Sequence, residues 1–417
     1  MIIDIPQDSD FSIYNIPFGI FSTTDRTPRV GVAIGAHILD LAAVAELGVF
    51  DFDTSVLHQS VLNDFIALGK RITAKVRTDV QGWIQDDSSP IAGHPQLFVK
   101  QSDAQMHLPV QVGDYTDFYS SIEHATNVGM MFRDPENALL PNWRHIPVGY
   151  HGRASSIIVS GHDIHRPKGQ VLPKGESQPV YQASGRLDFE LETGFIIGKS
   201  SALGDSVAAA DAMDHIFGMV LFNDWSARDI QKWEYIPLGP FLGKSFASSI
   251  SPWIVTMQAL EPFRVAGPTQ EPNVLSYLQT DRNNNYDINL SVSIKPDRGS
   301  AQIVCESNFK YMYWSMVQQL AHHTVNGCNI KVGDMMGSGT ISGKDENSYG
   351  SMLEIAWAGS KPVQMNDGST RVFINDHDTV TMRGYAEKDG MRVGFGKVET
   401  KVLPAKELSK DERDNDI

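Results

Sequence analysis

The segment Asp188-Phe189-Glu190-Leu191-Glu192 alternates acidic and apolar side chains and runs on into Phe195-Ile196-Ile197. In extended backbone successive side chains point to opposite faces. Phe189 and Leu191 then share one face, and Asp188, Glu190 and Glu192 the other. Three carboxylates on one face repel each other unless something cationic lies between them. Two arrangements remain open: an acidic sheet face turned to water, or a hard divalent ion held by oxygen ligands.

Other residues could join such chemistry. Asp224 follows the apolar run Ile216 to Phe222, which reads as a buried strand. Ser226-Ala227-Arg228-Asp229 has the spacing of a capping box and predicts a short helix through Glu234. Arg228, Gln231 and Tyr235 would share one face of it. A carboxylate at a strand end beside that face suits a site; an ordinary strand–helix corner with a surface ion pair fits as well. Lys244 ends a Gly- and Pro-rich apolar loop from Pro237, either as a snorkelling surface residue or as an electrostatic clamp on an anion. Gly113 to Tyr119 sets Asp114 and Asp117 among aromatics, with His124 and Arg133 close behind. Lone histidines are more often structural than catalytic, so His145, His151, His322 and His323 are read as packing or surface residues.

Several motifs fail on inspection. Asp281 to Val292 begins like a calcium loop but has Tyr286 and Val292 where glycine and glutamate are needed. Gly337 to Gly343 is glycine-rich without the Lys-Ser/Thr ending of a phosphate loop. No G-x-S-x-G elbow supports a serine nucleophile. His162-Asp163-Ile164-His165 lacks a helix that would support zinc binding.

The elements that must position these residues are mostly strands. Residues 1–109 read as a small β-rich unit, with strands such as Val30 to Ile34 and His37 to Leu41 and one or two helices around 56–85. Residues 110–417 form a second, larger unit rich in strands, including the alternating Ile288 to Ile294. Its best helix is Asn308 to His323, where Phe309, Tyr313, Met316 and Leu320 are spaced for one face. No βαβ rhythm is present, which disfavours a doubly wound sheet. The charged end from Lys406 to Ile417 is expected to fray. Across 417 residues the net charge is -15, which argues against nucleic acid and anionic membrane as partners. No apolar run reaches membrane-spanning length. The first residues do not read as a secretory signal. Cys305 and Cys328 are expected to be free thiols in a reducing, cytoplasmic setting.

Long motifs now carry a resemblance. Gly113 to Ser121, His124 to Gly129, Leu139 to Trp143, Pro147 to Ser156, Asn223 to Gln231, Pro237 to Phe246 and Gly339 to Gly343 together resemble the fumarylacetoacetase family, from about Asp8 to Ala405. The resemblance implies a mixed, β-rich α+β fold: an N-terminal SH3-like β-barrel and a C-terminal mixed β-roll. It also implies a homodimer that hydrolyses 4-fumarylacetoacetate, a small dianionic diketo acid, to fumarate and acetoacetate. Carried over residue by residue, the ligands of Ca2+, Mg2+ or Mn2+ would be Asp117, Glu190, Glu192 and Asp224, with Lys244 and Ser248 at a second cation site. Asp188 is left without a ligand role. His124, oriented by Glu354, would activate water. Arg228, Gln231 and Lys244 would form the oxyanion site. Tyr119, Arg133, Tyr150, Gln231, Tyr235 and Thr340 would hold the substrate.

The chain departs from the family pattern at Ala247-Ser248, where Gly-Thr is usual, and at Glu123 beside His124, where an uncharged or basic residue is expected. Two other functions stay open: a sibling acylpyruvate hydrolase or decarboxylase on the same scaffold, and a non-catalytic metal-binding protein.

Overall fold

The computed structural model describes residues 3–407, so most of the tail expected to fray lies outside the described residues. A sheet of 13 strands forms the spine. Its main path runs from the N-terminal strands Phe98–Lys100, His37–Asp40, Arg29–Ile34 and Phe18–Ser22 directly into Trp253–Thr256. It continues through Ile216–Asp224, Leu191–Ile197, Met335–Gly337, Tyr115–Phe118 and Gly149–His151. The crossing from one half to the other depends on glycine: a Cβ at Gly19 would come within 2.5 Å of the Trp253 ring. Among the described residues the ladder is open and no closed barrel forms in the N-terminal part, which is β-rich; the SH3-like expectation is not confirmed.

The strand Ile216–Asp224 is apolar along most of its length because both its faces are covered. Val220 and Phe222 pack with the N-terminal strands and helices. Met219 and Leu221 face a second core shared with a five-stranded sheet. That second sheet contains Asn289–Lys295, Thr379–Lys388 and Met391–Leu403, as the alternating pattern at 288–294 predicts. Burying one such aromatic or aliphatic side chain contributes roughly 1.5–3 kcal/mol, so the central strand is held from both sides.

Two predicted helices differ from expectation. The Asn308 to His323 segment is not one helix. Asn308 ends a strand, Phe309–Tyr311 is a single 3-10 turn, and the α-helix is Met316–Thr324. Ser315 and Gln318 form a capping box that restarts the chain there. The apolar spacing is real, since Phe309, Tyr313, Met316 and Leu320 are all buried, but it spans two elements and the irregular stretch between them. Likewise Ser226 is not the cap of the helix Arg228–Glu234. Ser226–Ala227 pairs with Leu187–Asp188 as a short strand, and Asp229 turns back to Ser184 Oγ and the Gly185 N–H. Cys305 and Cys328 are both free, as expected. Among the described residues no helix is long and apolar enough to cross a membrane.

Candidate active site

Strand register brings the carboxylates together. In the large sheet Asp117 lies opposite Gly337 on one side and Tyr150 on the other, and Asp224 lies opposite Ser248. Glu192 sits opposite Phe222 on the neighbouring ladder, two residues from Asp224. Asp117, Glu190, Glu192 and Asp224 each offer a ligand atom within 4.8 Å of the others, and all four are buried. Among the described residues this is the group of such side chains placed to share a metal ion. Its tightness depends on a missing side chain: a Cβ at Gly337 would lie 2.7 Å from Asp117 Oδ1 and 3.1 Å from Glu192 Oε2.

The cluster's hydrogen bonding leaves a specific gap. The Gly339 N–H, on a left-handed turn (φ 76°), donates to Asp117 and Glu192 at 3.2 and 3.0 Å. Tyr150 donates to Asp224 at 2.8 Å and to Asp117 at 3.3 Å, and Ser248 Oγ lies 3.3 Å from Asp224. Lys244, itself buried, donates to Glu190 and, at 2.8 Å, to Asp224. Glu192 Oε1 is buried with no donor. Burial and the neighbouring carboxylates push Asp117 and Glu192 well above the usual carboxylate range. Burial also pushes Glu190 up, but the Lys244 ammonium and Arg228 guanidinium beside it prevail and hold it low. A buried, orphaned carboxylate oxygen inside an all-oxygen cage fits a hard divalent cation.

Beside this cage stands an imidazole–carboxylate pair. Ser121 caps the helix Ile122–Phe132 by accepting from the His124 N–H, and Ser351 caps Met352–Ile355 by accepting from the Glu354 N–H. Both chemical residues are therefore third in a serine-capped helix, where the cap fixes the backbone. His124 Nδ1 lies 2.7 Å from Glu354 Oε2. Asn127 Nδ2, Ser342 Oγ and Ser351 Oγ also donate to that carboxylate at 3.0, 2.9 and 2.9 Å. Burial opposes its charge, but His124 and these donors hold Glu354 below its ordinary value. The carboxylate partner selects the tautomer with the proton on Nδ1, which leaves Nε2 as a lone-pair base. Glu123 shares the first turn of the same helix, yet one of its carboxylate oxygens is buried without a partner and no hydrogen bond joins it to His124.

The remaining residues fall at different distances from this core. Arg228 reaches Glu190 at 2.7 Å and Asp188 at 2.8 Å, with Gln231 Oε1 3.5 Å from its Nη1. Tyr119 packs edge-on to His124 at 5.2 Å between ring centres, and burial followed by Glu354 and Glu190 raises its hydroxyl. Thr340 Oγ1 is buried and unpartnered. Arg133 is exposed at the helix end and donates to the Ala138 carbonyl. Tyr235 is 52% exposed just past the helix Arg228–Glu234. It opens a loop whose side chains Ile236, Leu238 and Phe241 are also exposed. Glu234 clasps that loop by accepting from the Phe241, Leu242 and Gly243 N–H groups at 2.7, 2.9 and 2.8 Å.

Reading the sequence did not single out Asn127, Ser342, Gly337 or Glu234. The S-x-x-E spacing of Ser351 and Glu354 was a usable signal for the second cap; the others act through contacts between distant segments. His162 and His165, set aside above as a zinc motif, bond to the carbonyls of Val159 and Pro404.

A buried acidic cluster that could hold a cation, a histidine bonded to a carboxylate and an Arg–Lys pair on a mixed β-rich α+β scaffold suit cation-assisted hydrolysis. The chain matches the description "Fumarylacetoacetate (FAA) hydrolase C-terminal" over residues 115–403 and "Fumarylacetoacetase N-terminal" over 14–109. It is 52% identical over 412 residues to the fumarylacetoacetase of Homo sapiens, covering 97% of this chain and 98% of that one. Identity to the fumarylacetoacetase of Arabidopsis thaliana is 48% over 413 residues, with the same coverage of 97% and 98%. In fold it is similar to a fumarylacetoacetate hydrolase from Exiguobacterium antarcticum (TM-score 0.54, 17% identity, 94% of this chain and 100% of that one). It is also similar in fold to a maleylpyruvate hydrolase from Sphingobium sp. SYK-6 solved with manganese(II) and pyruvate (TM-score 0.51, 14% identity, 94% and 100%). The chain belongs to the fumarylacetoacetase family.

Proposed function

We propose that this protein hydrolyses the C–C bond of 4-fumarylacetoacetate to give fumarate and acetoacetate, the last step of tyrosine and phenylalanine breakdown. The observation that carries the proposal is the His124–Glu354 pair, 2.7 Å apart, beside the four-carboxylate cage. Near-full-length identity to fumarylacetoacetases favours this substrate over the acylpyruvates of sibling enzymes.

Asp117, Glu190, Glu192 and Asp224 would hold Ca2+ or Mg2+, with Mn2+ as a further candidate. The cation would supply Lewis-acid polarisation of the 1,3-dicarbonyl unit. His124 Nε2 takes a proton from the attacking water while Glu354 stabilises the imidazolium. Arg228, Gln231 and Lys244 face the charge that develops on the attacked carbonyl oxygen; one such donor is worth about 3–4 kcal/mol. Tyr119, Tyr150 and Thr340 line the buried side. Arg133 and Tyr235 reach in from the exposed side to meet the substrate's carboxylate ends. The orphaned Thr340 hydroxyl supports that role for Thr340. Ser248 keeps an oxygen at the second cation position beside Asp224 and Lys244.

We further propose a cytoplasmic homodimer, divided near residue 109 into an N-terminal unit related to SH3-like barrels and a catalytic β-roll. Loss of fumarylacetoacetate near-UV absorbance, abolished by EDTA and restored by calcium or magnesium, tests the assignment. Turnover of acylpyruvates alone would replace it with the sibling activity.

A further inference from the structure

Asp188 is fully buried and lies outside the metal cluster, although it immediately precedes Phe189 and Glu190 in the chain. Its carboxylate joins two parts of the site. Oδ2 accepts from Arg228 Nε at 2.8 Å and from the Leu353 N–H at 3.0 Å, and Oδ1 accepts from the Met352 N–H at 2.7 Å. Met352 and Leu353 are the first two residues of the short helix whose third residue is Glu354. The segment bearing Asp188 is tied by strand pairing to Ser226–Ala227, immediately before Arg228.

We propose that Asp188 is a positioning residue that sets the oxyanion arginine and the general-base pair in one register. The physical case rests on what each partner lacks without it. The helix Met352–Ile355 has four residues and so little intrahelical bonding to hold it. Its first N–H groups have no partners within the helix, and Asp188 accepts two of them. Arg228 would otherwise be drawn towards Glu190 alone, and thus towards the metal cage. One carboxylate therefore fixes the separation between the group that receives charge (Arg228) and the carboxylate that aims His124 (Glu354). Misplacing either by about 1 Å costs on the order of 100-fold in rate.

The inference rests on the hydrolase assignment above. Asp188→Asn keeps the shape but turns one acceptor into a donor facing Arg228 or the helix. Its kcat on fumarylacetoacetate should fall about 100-fold, with KM and calcium affinity by calorimetry within about threefold of wild type. Asp188→Glu keeps the charge one methylene out of place and should recover part of the loss. In a Glu354→Gln background Asp188→Asn should cost less than about fivefold, because the two act as a unit. Hydrogen exchange at the Met352 and Leu353 amides should speed up in Asp188→Asn, a readout that stands even if the wild type proves inactive on this substrate. An inactive wild type would sink the substrate assignment alone. A kcat within about threefold of wild type, full additivity with Glu354→Gln, or unchanged amide exchange would overturn the positioning role. So would failure of both Asp188 variants to bind calcium, which would assign Asp188 to stability only.

Discussion

Replacing Glu354 with glutamine tests the catalytic dyad at its most constrained point. The wild-type carboxylate accepts four side-chain hydrogen bonds: from His124, Ser342 and Ser351 at Oε2, and from Asn127 at Oε1. A glutamine amide has one acceptor and one NH2 group, so two arrangements compete. With oxygen at the Oε2 position, the NH2 meets the Asn127 NH2 and two donors face each other inside the protein. With nitrogen at that position, Asn127 is satisfied, but the NH2 has two hydrogens for three neighbours, Ser342 Oγ, Ser351 Oγ and His124 Nδ1, and His124 Nδ1 can meet it only by accepting. That moves the imidazole proton to Nε2 and removes the base. In either arrangement the imidazolium formed on proton abstraction loses its counter-charge. In serine hydrolases the same carboxylate-to-amide change costs about 10⁴ in kcat, chiefly through the wrong tautomer. We expect a loss on the order of 10³–10⁴, or about 4–5.5 kcal/mol at 1.36 kcal/mol per decade. Steady-state turnover of fumarylacetoacetate measures it. Calorimetry should find calcium affinity unchanged within about threefold, since Glu354 is outside the cage. A kcat loss under about tenfold with metal bound would refute the assignment of Glu354 as the group that orients the base.

Three further outcomes follow from the cage. Glu192→Gln should weaken calcium binding on the order of 100-fold by calorimetry, because ligand charge sets affinity in oxygen cages; unchanged affinity would remove Glu192 from the ligand set. Gly337→Ala brings a Cβ to 2.7 Å from Asp117 Oδ1 and should lower both calcium affinity and turnover; wild-type values in both would show that the cage yields freely. The last concerns pH. Asp117 and Glu192 are raised in the folded state by burial and then by neighbouring carboxylates, so the folded protein holds protons that the unfolded chain releases. Their stability contribution is complete below the ordinary carboxylate range and is lost as pH rises through the raised values. Glu190 and Glu354 are lowered, so they lose theirs only in more acidic solution, outside this window. The Tm of EDTA-treated protein should therefore fall as pH rises above the ordinary carboxylate range, and calcium should raise it most on the alkaline side of that fall; a flat or rising Tm without calcium would contradict the raised carboxylates.

The sequence made the site's ingredients legible where they are local. Alternation placed Asp188, Glu190 and Glu192 on one face, and the apolar run to Phe222 located Asp224 at a strand end. Alternation alone could not separate Asp188 from its neighbours, and only the family resemblance left it without a ligand role; what it does instead depends on the approach of Met352 and Arg228 from other segments. Asn127 and Ser342 were invisible for the same reason: each meets Glu354 through the fold. The Asn308 to His323 misreading has a different cause. Burial in a 3-10 turn, an irregular link and a helix happened to keep a helical spacing, while the Ser315–Gln318 cap that truly starts the helix lay inside the apolar pattern. In the N-terminal part the strands were readable, but not their union with Trp253–Thr256, which joins them to one edge of a larger sheet.

The three acidic residues of the alternating segment, Asp188 in the short strand Leu187–Asp188, Glu190 in the break after it and Glu192 in Leu191–Ile197, show how burial can be tolerated without one common solution. Uncompensated, each buried charge costs several kcal/mol. Asp188 meets a guanidinium and two peptide N–H groups, which offset part of a burial that still raises it above its ordinary value. Glu190 is shared between Arg228 and Lys244, which keeps it ionised. Glu192 receives one peptide N–H and keeps an oxygen with no donor, against Asp117, which is pushed the same way. The demand for a cation is therefore not spread evenly over the cage. It concentrates on the Asp117–Glu192 edge, where the glycines at 337 and 339 bring backbone close and leave no room for a basic side chain. The opposite edge, at Glu190 and Asp224, already has its own cation in Lys244, which leaves that side free to present Lys244 and Arg228 to a substrate oxygen. A site with its deficit of positive charge on one edge and its donors on the other has a built-in direction, and under the proposed function we expect the dicarbonyl to enter in the orientation that matches it.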